Sequence, residues 1–319
     1  MTSTEPPDVS AIIPCLNEEE NAAAIAAAVV NQFEMLGLSY EIIFIDNGSI
    51  DDTVTIIKGL CALNPRIRLI VNTRNFGQMR SPTHAIYQAT GSAIIGICAD
   101  FQDPPELIGE FVARWRGGAL IVLGVRQSEK TSWILRLIKA IGYGFFERFA
   151  DYRVIPGATG FGLYDRRVVD TLRTWRDPEP FFRGMLVESG FAVETVTYKR
   201  PERAAGVSKN GILSLASFAL SGLASSSKQL LRLPIYIALV IGFTTFLTLA
   251  AAIVTVLLGH GVWLLLGLAL AQASFAILFL FLGLLGEQVR VIHEIARNVP
   301  LVVEHERVNF PSRLNDVCL

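Results

Sequence analysis

The stretch Ile94–Glu106 contains the residues best suited to chemistry. Its apolar beginning ends in Asp100, Gln102 and Asp103, and two prolines follow directly. Such an apolar run is typical of a buried parallel strand, and open α/β sheets bind ligands at the carboxyl ends of their strands. Carboxylate and amide oxygens are hard ligands, so Asp100 and Gln102 predict a divalent cation shared with substrate phosphates. A strand followed by an ordinary polar turn is the alternative interpretation.

Further polar groups follow two apolar runs earlier in the chain. Asp46 and Asn47 come after the run Tyr40–Ile45, and Glu18 comes shortly after the run Val9–Ile13. If these runs are parallel strands of one sheet, their polar ends could surround one nucleotide diphosphate. Asp and Asn also favour turns through hydrogen bonds to their own backbone, so ordinary turn chemistry is the alternative.

The elements that must position these residues alternate along the chain. The predicted strands are Val9–Ile13, Tyr40–Ile45, Ile67–Val71, Ala93–Cys98, Gly118–Gly124 and Phe191–Lys199. Helices are predicted between them, the first capped by Asn17 and the third at roughly Pro82–Ala89. This alternation predicts an α/β fold with a parallel, helix-covered sheet. The chain lacks Gly-x-Gly-x-x-Gly after the first strand and lacks a Gly-Lys-Ser/Thr loop, which weakens dinucleotide-binding and P-loop interpretations.

Composition further narrows the class of protein and the compartment in which it is expected. The 319 residues suffice for one large domain or two smaller ones, and a net charge of −1 gives no indication of a nucleic-acid partner. The four cysteines are scattered without metal-ligand spacing, as in a reduced protein that faces the cytosol. No signal peptide is predicted, because no basic segment leads into a long apolar one at the N-terminus.

Four motifs at the predicted strand ends resemble those of glycosyltransferase family 2. The motifs are Pro14-Cys-Leu-Asn-Glu18, Ile45-Asp-Asn-Gly-Ser49, Arg74-Asn-Phe-Gly77 and Ala99-Asp-Phe-Gln-Asp-Pro-Pro-Glu106. The branch that the chain resembles most is the polyprenyl- or dolichyl-phosphate sugar synthases. This resemblance implies a GT-A fold with a Rossmann-like, mostly parallel sheet, a nucleotide-sugar donor and a divalent metal, Mg²⁺ or Mn²⁺.

The resemblance also implies roles for individual residues. The residues expected at the nucleotide sugar are Pro14, Leu16, Glu18, Ile45, Asn47, Cys98, Ala99, Asp100, Gln102 and Arg126. Asp100 and Gln102 are expected to hold the metal. Asn47 stands where the family usually has the second of two Asp residues, and Cys98 stands where it has the first Asp of Asp-Ala-Asp. Each change removes a negative charge, which could alter which nucleobase the protein selects or how tightly it binds the metal.

Basic residues imply where the acceptor binds. The family uses arginines after the fifth strand to grip phosphates, and Arg203 to Lys209 match its Arg-x-x-Gly-x-Ser-Lys pattern. The residues expected at the lipid phosphate are Arg136, Arg203, Ser208 and Lys209. The residues expected to act in catalysis are Asp100, Arg126, Arg203 and Lys209. For the segment from Arg203 to Lys209, the alternative interpretation is a basic linker that is attracted to anionic lipids.

Gly160 occupies a position at which many relatives carry an Asp proposed as catalytic base. A phosphomonoester acceptor needs no strong base, because its second pKa is about 6 and its oxygen is already nucleophilic at pH 7. Positioning and charge neutralisation could then carry much of the catalysis. Asp165 and Glu188 are other candidate helpers, although a helix start and a helix surface explain them equally simply.

The C-terminal part of the sequence predicts a membrane anchor. Residues 210–232 have the spacing of an amphipathic interfacial helix, and 233–286 contain no Asp, Glu, Lys or Arg. That run is long enough for two spans of about 20 residues each. Cations on both flanks predict that the catalytic domain 1–209 and the tail 287–319 both face the cytoplasm of a bacterial plasma membrane.

The predicted function is inverting transfer of one sugar from a nucleotide sugar to a polyprenyl phosphate at the bilayer, feeding cell-surface glycan modification. UDP-glucose with undecaprenyl phosphate is the expected pair. One alternative is a transferase that extends a lipid-linked glycan at a sugar hydroxyl, against which Gly160 counts. The other is a degenerate scaffold, which Asn47, Cys98 and Gly160 would support. Relatives assemble through their membrane segments, so a homo-oligomer is a further expectation.

Overall fold

The structure is a computed structural model that describes residues 5–127, 155–199 except 176 and 179, scattered positions between 267 and 296, and 299–310. In these residues eight strands form one sheet, in the order β7-β5-β6-β4-β1-β2-β3-β8. The strands are β1 Val9–Cys15, β2 Tyr40–Asp46, β3 Ile67–Asn72, β4 Ala93–Gly96, β5 Ile121–Arg126, β6 Ala158–Asp165, β7 Val193–Tyr198 and β8 Glu304–Val308. The helices are α1 Ala22–Met35, α2 Thr53–Leu63, α3 Gly77–Gln88, α4 Ile108–Arg116, α5 Arg166–Arg173 and α6 Phe182–Glu188, with a 3₁₀ turn at Pro105–Leu107.

The part of the sheet that carries the predicted motifs is parallel. β1 pairs in parallel with β2 and with β4, and β2 pairs in parallel with β3. These strands are apolar almost throughout because helices cover both of their faces. Their carboxyl ends therefore lie along one edge, which confirms the α/β class and the first four predicted strands.

Two apolar layers lie on opposite faces of the sheet. Phe33 of α1 and Phe111 of α4 pack with Phe44 on one face. Ile86 of α3 packs with Ile45 and its neighbours on the other face. Complete burial of one such side chain contributes about 1.5–3 kcal/mol, so both layers hold the strand ends in place.

Two strands, β6 and β8, are antiparallel to the other six, so the sheet is mixed but mostly parallel, as expected. β6, which contains Gly160, lies antiparallel between β4 and β5. β8 lies antiparallel beside β3 and comes from the segment expected to form a separate tail at 287–319. The catalytic sheet therefore extends beyond the predicted boundary at residue 209.

The returning segment before and within β8 is tied to two helices. Arg80 of α3 donates to the backbone carbonyls of Pro300 and Leu301, each at 2.8 Å. Lys58 of α2 pairs with Glu306 of β8 at 2.6 Å between Nζ and Oε2. Residues near the end of the chain thus belong to the same folded body as those near its beginning.

The helices α1 and α3 begin at residues that differ from the predicted starts. α1 begins at Ala22, and its N-cap Asn21 makes no side-chain capping bond. Asn17 was the expected cap, but its backbone is left-handed with φ 55° and its side chain bonds to another loop. α3 begins at Gly77, so that Pro82 lies inside the helix.

The predicted membrane segments lie outside the described residues, apart from scattered positions from 267 onward. This applies to the interfacial helix at 210–232 and to the hairpin at 233–286. Within the described part of the chain, no helix combines the length and the apolar character that a membrane crossing requires.

Candidate functional site

The loops that follow β1 and β2 are bound to each other at the carboxyl edge of the sheet. The N–H of Asn17 donates to Ser49 Oγ at 2.8 Å, and Asn17 Oδ1 accepts from the N–H of Ile50 at 2.9 Å. The N–H of Glu18 donates to Thr53 Oγ1 at 2.8 Å. Asn tolerates the left-handed backbone that these bonds require better than most residues do. The two motif loops are therefore fixed as one unit.

The side chain of Asn47 holds the loop Arg74-Asn-Phe-Gly77 against this unit. Asn47 Oδ1 accepts from Asn72 Nδ2 at 3.2 Å and from the N–H of Phe76 at 2.9 Å. Asn47 Nδ2 donates to Asn75 Oδ1 at 2.9 Å and to the carbonyl of Gly77 at 3.2 Å. An amide has two acceptor positions and two donor hydrogens, so all four are used within the protein. The structure thus gives this buried side chain a positioning role.

Asp46 lies next to Asn47, and the sequence placed it at a strand end near the expected nucleotide without giving it an individual role. Its Oδ2 accepts from the N–H groups of Gly48 and Ser49, each at 3.0 Å. Its Oδ1 is buried and has no hydrogen-bond partner among the described residues. A buried acceptor without a partner costs about 1–3 kcal/mol, so a donor from a ligand would stabilise this position.

The other residues predicted to contact the nucleotide differ in burial. Pro14, Leu16 and Glu18 are half-buried at the end of β1 and in the following loop. The side chains of Ile45 and Ala99 are buried in the two core layers. Any nucleotide contact from Ile45 or Ala99 would have to come from their backbone.

The predicted metal ligands lie on a strained turn after β4. Phe101 has φ 57°, a left-handed conformation that costs a non-glycine residue about 1–2 kcal/mol. The turn lets Asp100 Oδ1 accept from the N–H of Gln102 at 3.2 Å. Strain of this kind concentrates at functional sites, where the surrounding structure enforces it.

The composition of this turn determines how it could hold a metal. No group of three or more His, Cys, Asp and Glu side chains in the described residues could hold a cation alone. The protein would therefore supply Asp100 and Gln102, and a ligand would supply further oxygens. Mg²⁺ is commonly bound in this way, by one or two protein groups together with substrate phosphates.

Two residues hold Arg126 beside the turn at residues 98–103. Arg126 Nε donates to the hydroxyl of Tyr198 at 3.3 Å, and its Nη2 lies 3.6 Å from Asp103 Oδ1. The hydroxyl of Tyr198 in turn donates to Asp103 Oδ1 at 2.7 Å. Burial alone would lower the pKa of Arg126, but Tyr198 and Asp103 outweigh it and raise the pKa. Sequence reasoning did not assign roles to Tyr198 or Asp103, because only the fold brings them to Arg126.

Cys98 lies among these same charges, just before the turn. Burial, followed by the negative charges of Asp103 and Asp100, raises the pKa of the Cys98 thiol well above its usual value. The thiol is therefore protonated at neutral pH in this structure, and it carries no negative charge where the family usually has a carboxylate.

Gly160 has a backbone that disfavours any side chain. Its φ is +93°, and an added Cβ would lie 3.7 Å from Cγ of Arg183 on α6. Tyr164 donates its hydroxyl to the carbonyl of Gly160 at 2.5 Å, which fixes the strand at this point. The position of the relatives' proposed base is thus occupied by bare backbone next to an arginine stem.

The two other acidic residues considered as helpers have structural positions. Asp165 caps α5 by accepting from the N–H of Arg167 at 3.0 Å, and it also accepts from Trp115 Nε1 at 2.9 Å. Glu188 is exposed at the last residue of α6. The helix-start interpretation of Asp165 and the helix-surface interpretation of Glu188 are therefore confirmed.

The predicted lipid-phosphate residues lie outside the described residues. They are Arg136, Arg203, Ser208 and Lys209. The described site therefore comprises the joined loops after β1 and β2, the loop held by Asn47, the turn at residues 98–103 and Arg126.

Two relatives and one solved structure show what the chain is similar to. A prophage bactoprenol glucosyl transferase homolog of Escherichia coli is 34% identical over 257 residues, covering 80% of this chain and 84% of the other. The SfII prophage-derived bactoprenol glucosyl transferase of Shigella flexneri is 32% identical over 303 residues, covering 92% and 96%. Glucosyl-3-phosphoglycerate synthase of Mycobacterium tuberculosis, solved with Mn²⁺ and UDP, gives a TM-score of 0.45 at 16% identity, covering 68% and 78%. This structural likeness is too weak to transfer function or ligands.

A family model confirms the resemblance seen in the motifs. The model of glycosyl transferase family 2 matches residues 10–173. That range contains the joined loops after β1 and β2, the turn at residues 98–103, Arg126 and Gly160. The chain therefore belongs to glycosyl transferase family 2 and is a glycosyltransferase.

Proposed function

We propose that this glycosyltransferase moves one glucose from UDP-glucose to a polyprenyl phosphate, with inversion at the anomeric carbon. The bactoprenol glucosyl transferases to which the chain is similar support the choice of sugar and acceptor. The observation that carries the proposal is the strained turn at Phe101, which carries Asp100 and Gln102 and whose next residue, Asp103, lies 3.6 Å from Arg126. Two oxygen ligands and a cation at one sheet edge suit a sugar diphosphate better than they suit a neutral ligand.

The metal in this proposal is Mg²⁺ or Mn²⁺, held by Asp100 and Gln102. When bound, it would neutralise charge that develops on the departing diphosphate. Arg126 would orient the same diphosphate through its planar set of N–H donors. The joined loops after β1 and β2 would hold the nucleoside.

The residues considered as catalytic bases near β6 support a phosphate acceptor rather than a sugar hydroxyl. Gly160 offers no side chain, Asp165 caps a helix, and Glu188 lies on a helix surface. None of these three positions supplies the positioned base that a sugar hydroxyl would need. A phosphate acceptor is already nucleophilic at neutral pH, so cations that position it are sufficient.

The sheet supports an anchored hairpin with both ends on one side of a membrane. The chain leaves the sheet after β7 and returns to it at β8, so both ends of the intervening segment belong to one body. Any crossings between them must therefore be even in number, as in the proposed pair of spans within 233–286. We propose that this body lies at the cytoplasmic face of a bacterial plasma membrane.

A transfer assay tests the function. Full-length protein in detergent would be given undecaprenyl phosphate, Mg²⁺ or Mn²⁺, and a panel of labelled UDP- and GDP-sugars. We expect labelled lipid from UDP-glucose, lost with a chelator and with Asp100→Asn. Asp170→Asn is the matched control, because Asp170 is an exposed residue of α5 whose partner is Arg166, 3.7 Å away. No labelled lipid from any donor, with the protein folded, would overturn the proposed reaction.

A further inference from the structure

We infer that Asp103 is a positioning residue which, together with Tyr198, aims the guanidinium of Arg126 at the diphosphate of the donor. The inference rests on the proposed function only in requiring that Arg126 meets a nucleoside diphosphate. Asp103 would touch neither donor nor acceptor, and it would act through Arg126 alone.

The carboxylate of Asp103 is completely buried, which requires compensation. It accepts from the hydroxyl of Tyr198 at 2.7 Å and from the N–H of Cys98 at 3.3 Å. Among the described residues, the cation within 4 Å of it is Arg126, whose Nη2 lies at 3.6 Å. A buried carboxylate without a paired cation is strongly unfavourable. Asp103 and Arg126 therefore depend on each other.

Two contacts are enough to orient a guanidinium. The group is planar and rigid, and it carries five N–H donors in a fixed arrangement. Tyr198 holds the Nε edge, and Asp103 attracts the Nη2 end. Within the part of the chain that the structure describes, these are one hydrogen bond and one ion pair, so the plane is oriented while other N–H groups remain for phosphate oxygens. A lysine at this position would have no comparable plane to fix.

Tyr198 can bridge the two charges because its phenol stays neutral. Burial, followed by the negative charge of Asp103, raises the pKa of Tyr198 to about 12. The hydroxyl can thus donate to Asp103 while accepting from Arg126. The parallel pairing of β5 with β7 places Arg126 opposite Tyr198, and the ring of Phe161 lies edge-on to that of Tyr198 at 5.5 Å. The bridge therefore rests on strands and packed rings.

Asp103 could instead have a purely structural role, tying the turn at 98–103 to β7. The two explanations differ in what they predict for Arg126. If Asp103 acts through Arg126, its replacement weakens only contacts that Arg126 makes. If it merely supports the turn, its replacement also weakens contacts made elsewhere in the site.

The test is a double-mutant cycle on the full-length protein, with calorimetric binding of UDP and of UMP in the presence of Mn²⁺. Asp103→Asn keeps the shape and removes the charge. We expect UDP to bind about tenfold more weakly, the loss of one charge-assisted contact, and UMP to be unaffected because it lacks the second phosphate. In an Arg126→Gln background, Asp103→Asn should add nothing.

Controls separate positioning from folding. Asp165→Asn alters another buried carboxylate, which contacts Trp115 and Arg167, and should leave the UDP-to-UMP affinity ratio unchanged. Tyr198→Phe removes only the bridging hydroxyl and should give about a threefold loss for UDP. It replaces Asp103→Asn in the cycle if that variant does not fold. Equal losses for UDP and UMP, or full additivity with Arg126→Gln, would overturn the inference.

Failure of this inference can be told apart from failure of the proposed function. The same cycle would be run with GDP and GMP. A preference for GDP would overturn the proposed donor, while the diphosphate-to-monophosphate ratio would still test Asp103. Diphosphate binding that follows the cycle without glucose transfer would overturn the proposed reaction and support the inference. A protein that binds neither nucleoside diphosphate would overturn both.

Discussion

Replacing Asn47 by Asp introduces the residue that the family pattern has at this position, and we expect it to destabilise this protein. The two bonds that Asn47 Oδ1 accepts, from Asn72 and Phe76, would be kept. The two bonds that Nδ2 donates would be lost, and a carboxylate oxygen would face Asn75 Oδ1 and the carbonyl of Gly77 at 2.9 and 3.2 Å. Asn75 cannot simply turn over, because its Oδ1 also accepts from the N–H of Gly77.

The size of the effect follows from these contacts. Two lost hydrogen bonds cost about 1 kcal/mol each, and placing acceptors against each other in a buried site adds about 1–2 kcal/mol. The expected loss is thus about 3–4 kcal/mol. A protonated carboxyl can still donate once, so the folded state favours protonation and raises the pKa of the new group. A group with a raised pKa loses its stabilising effect as pH rises, so the penalty should be larger at pH 8 than at pH 5.

Thermal unfolding with hydrogen exchange at residues 74–77 measures this effect. The melting temperature should fall by several degrees, and the loop should exchange faster. Asn64→Asp is the matched control. Its Oδ1 accepts from the N–H of Arg66 at 3.0 Å, and its Nδ2 only approaches the hydroxyl of Tyr40 at 3.4 Å. An Asn47→Asp protein as stable as wild type, with unchanged exchange in the loop, would refute the positioning role of the amide.

Three further predictions concern the edge of the sheet and its glycines. Burial would raise the pKa of Glu304, but its bonds to Arg307 and His84 outweigh this and lower it from 4.5 to about 2. A lowered pKa stabilises the fold above about pH 4.5, and this stability, up to about 3 kcal/mol, should disappear as pH falls toward 2. Glu304→Gln should remove that acid dependence from unfolding curves, and an unchanged curve would contradict it. Gly160→Ala should cost about 1–2 kcal/mol by thermal unfolding because φ is +93°. Gly109→Ala in α4 is its control and should be neutral or stabilising, because an added Cβ would meet only Leu36 at 3.9 Å. Gly48→Ala should weaken UDP binding, because its Cβ would lie 3.0 Å from the backbone of the loop at Arg74; normal UDP affinity would show that the loops can separate without loss.

The parallel core and the motif loops could be predicted because their signals are local. Apolar runs covered on both faces identify β1 to β4, and acidic or amide residues at their ends indicate the site. The antiparallel strands could not be recognised in the same way. β6 reads Ala-Thr-Gly-Phe-Gly-Leu-Tyr-Asp, in which glycines break the alternation, and β8 reads Glu-His-Glu-Arg-Val, which resembles a solvated segment.

The roles of individual site residues were harder to predict than their locations. The sequence shows that Asn47 lacks a charge, but only the fold shows that its amide binds the segment 72–77 at the end of β3. Asp103 was visible as part of a motif, yet its partners Arg126 and Tyr198 lie on strands far along the chain. Such partnerships depend on strand pairing between β5 and β7, which no local pattern encodes.

The return of β8 to β3 also determines the order in which the chain can mature on the ribosome. The ion pair of Lys58 with Glu306 joins residues 248 positions apart. Synthesis proceeds at about 5–20 residues per second, so the outer edge of β3 lacks its partner strand for roughly ten to fifty seconds. During that time the open edge is a template on which other nascent chains could pair. Premature stop codons before residue 304 should therefore yield aggregating chains, even though every motif of the catalytic site has already been made.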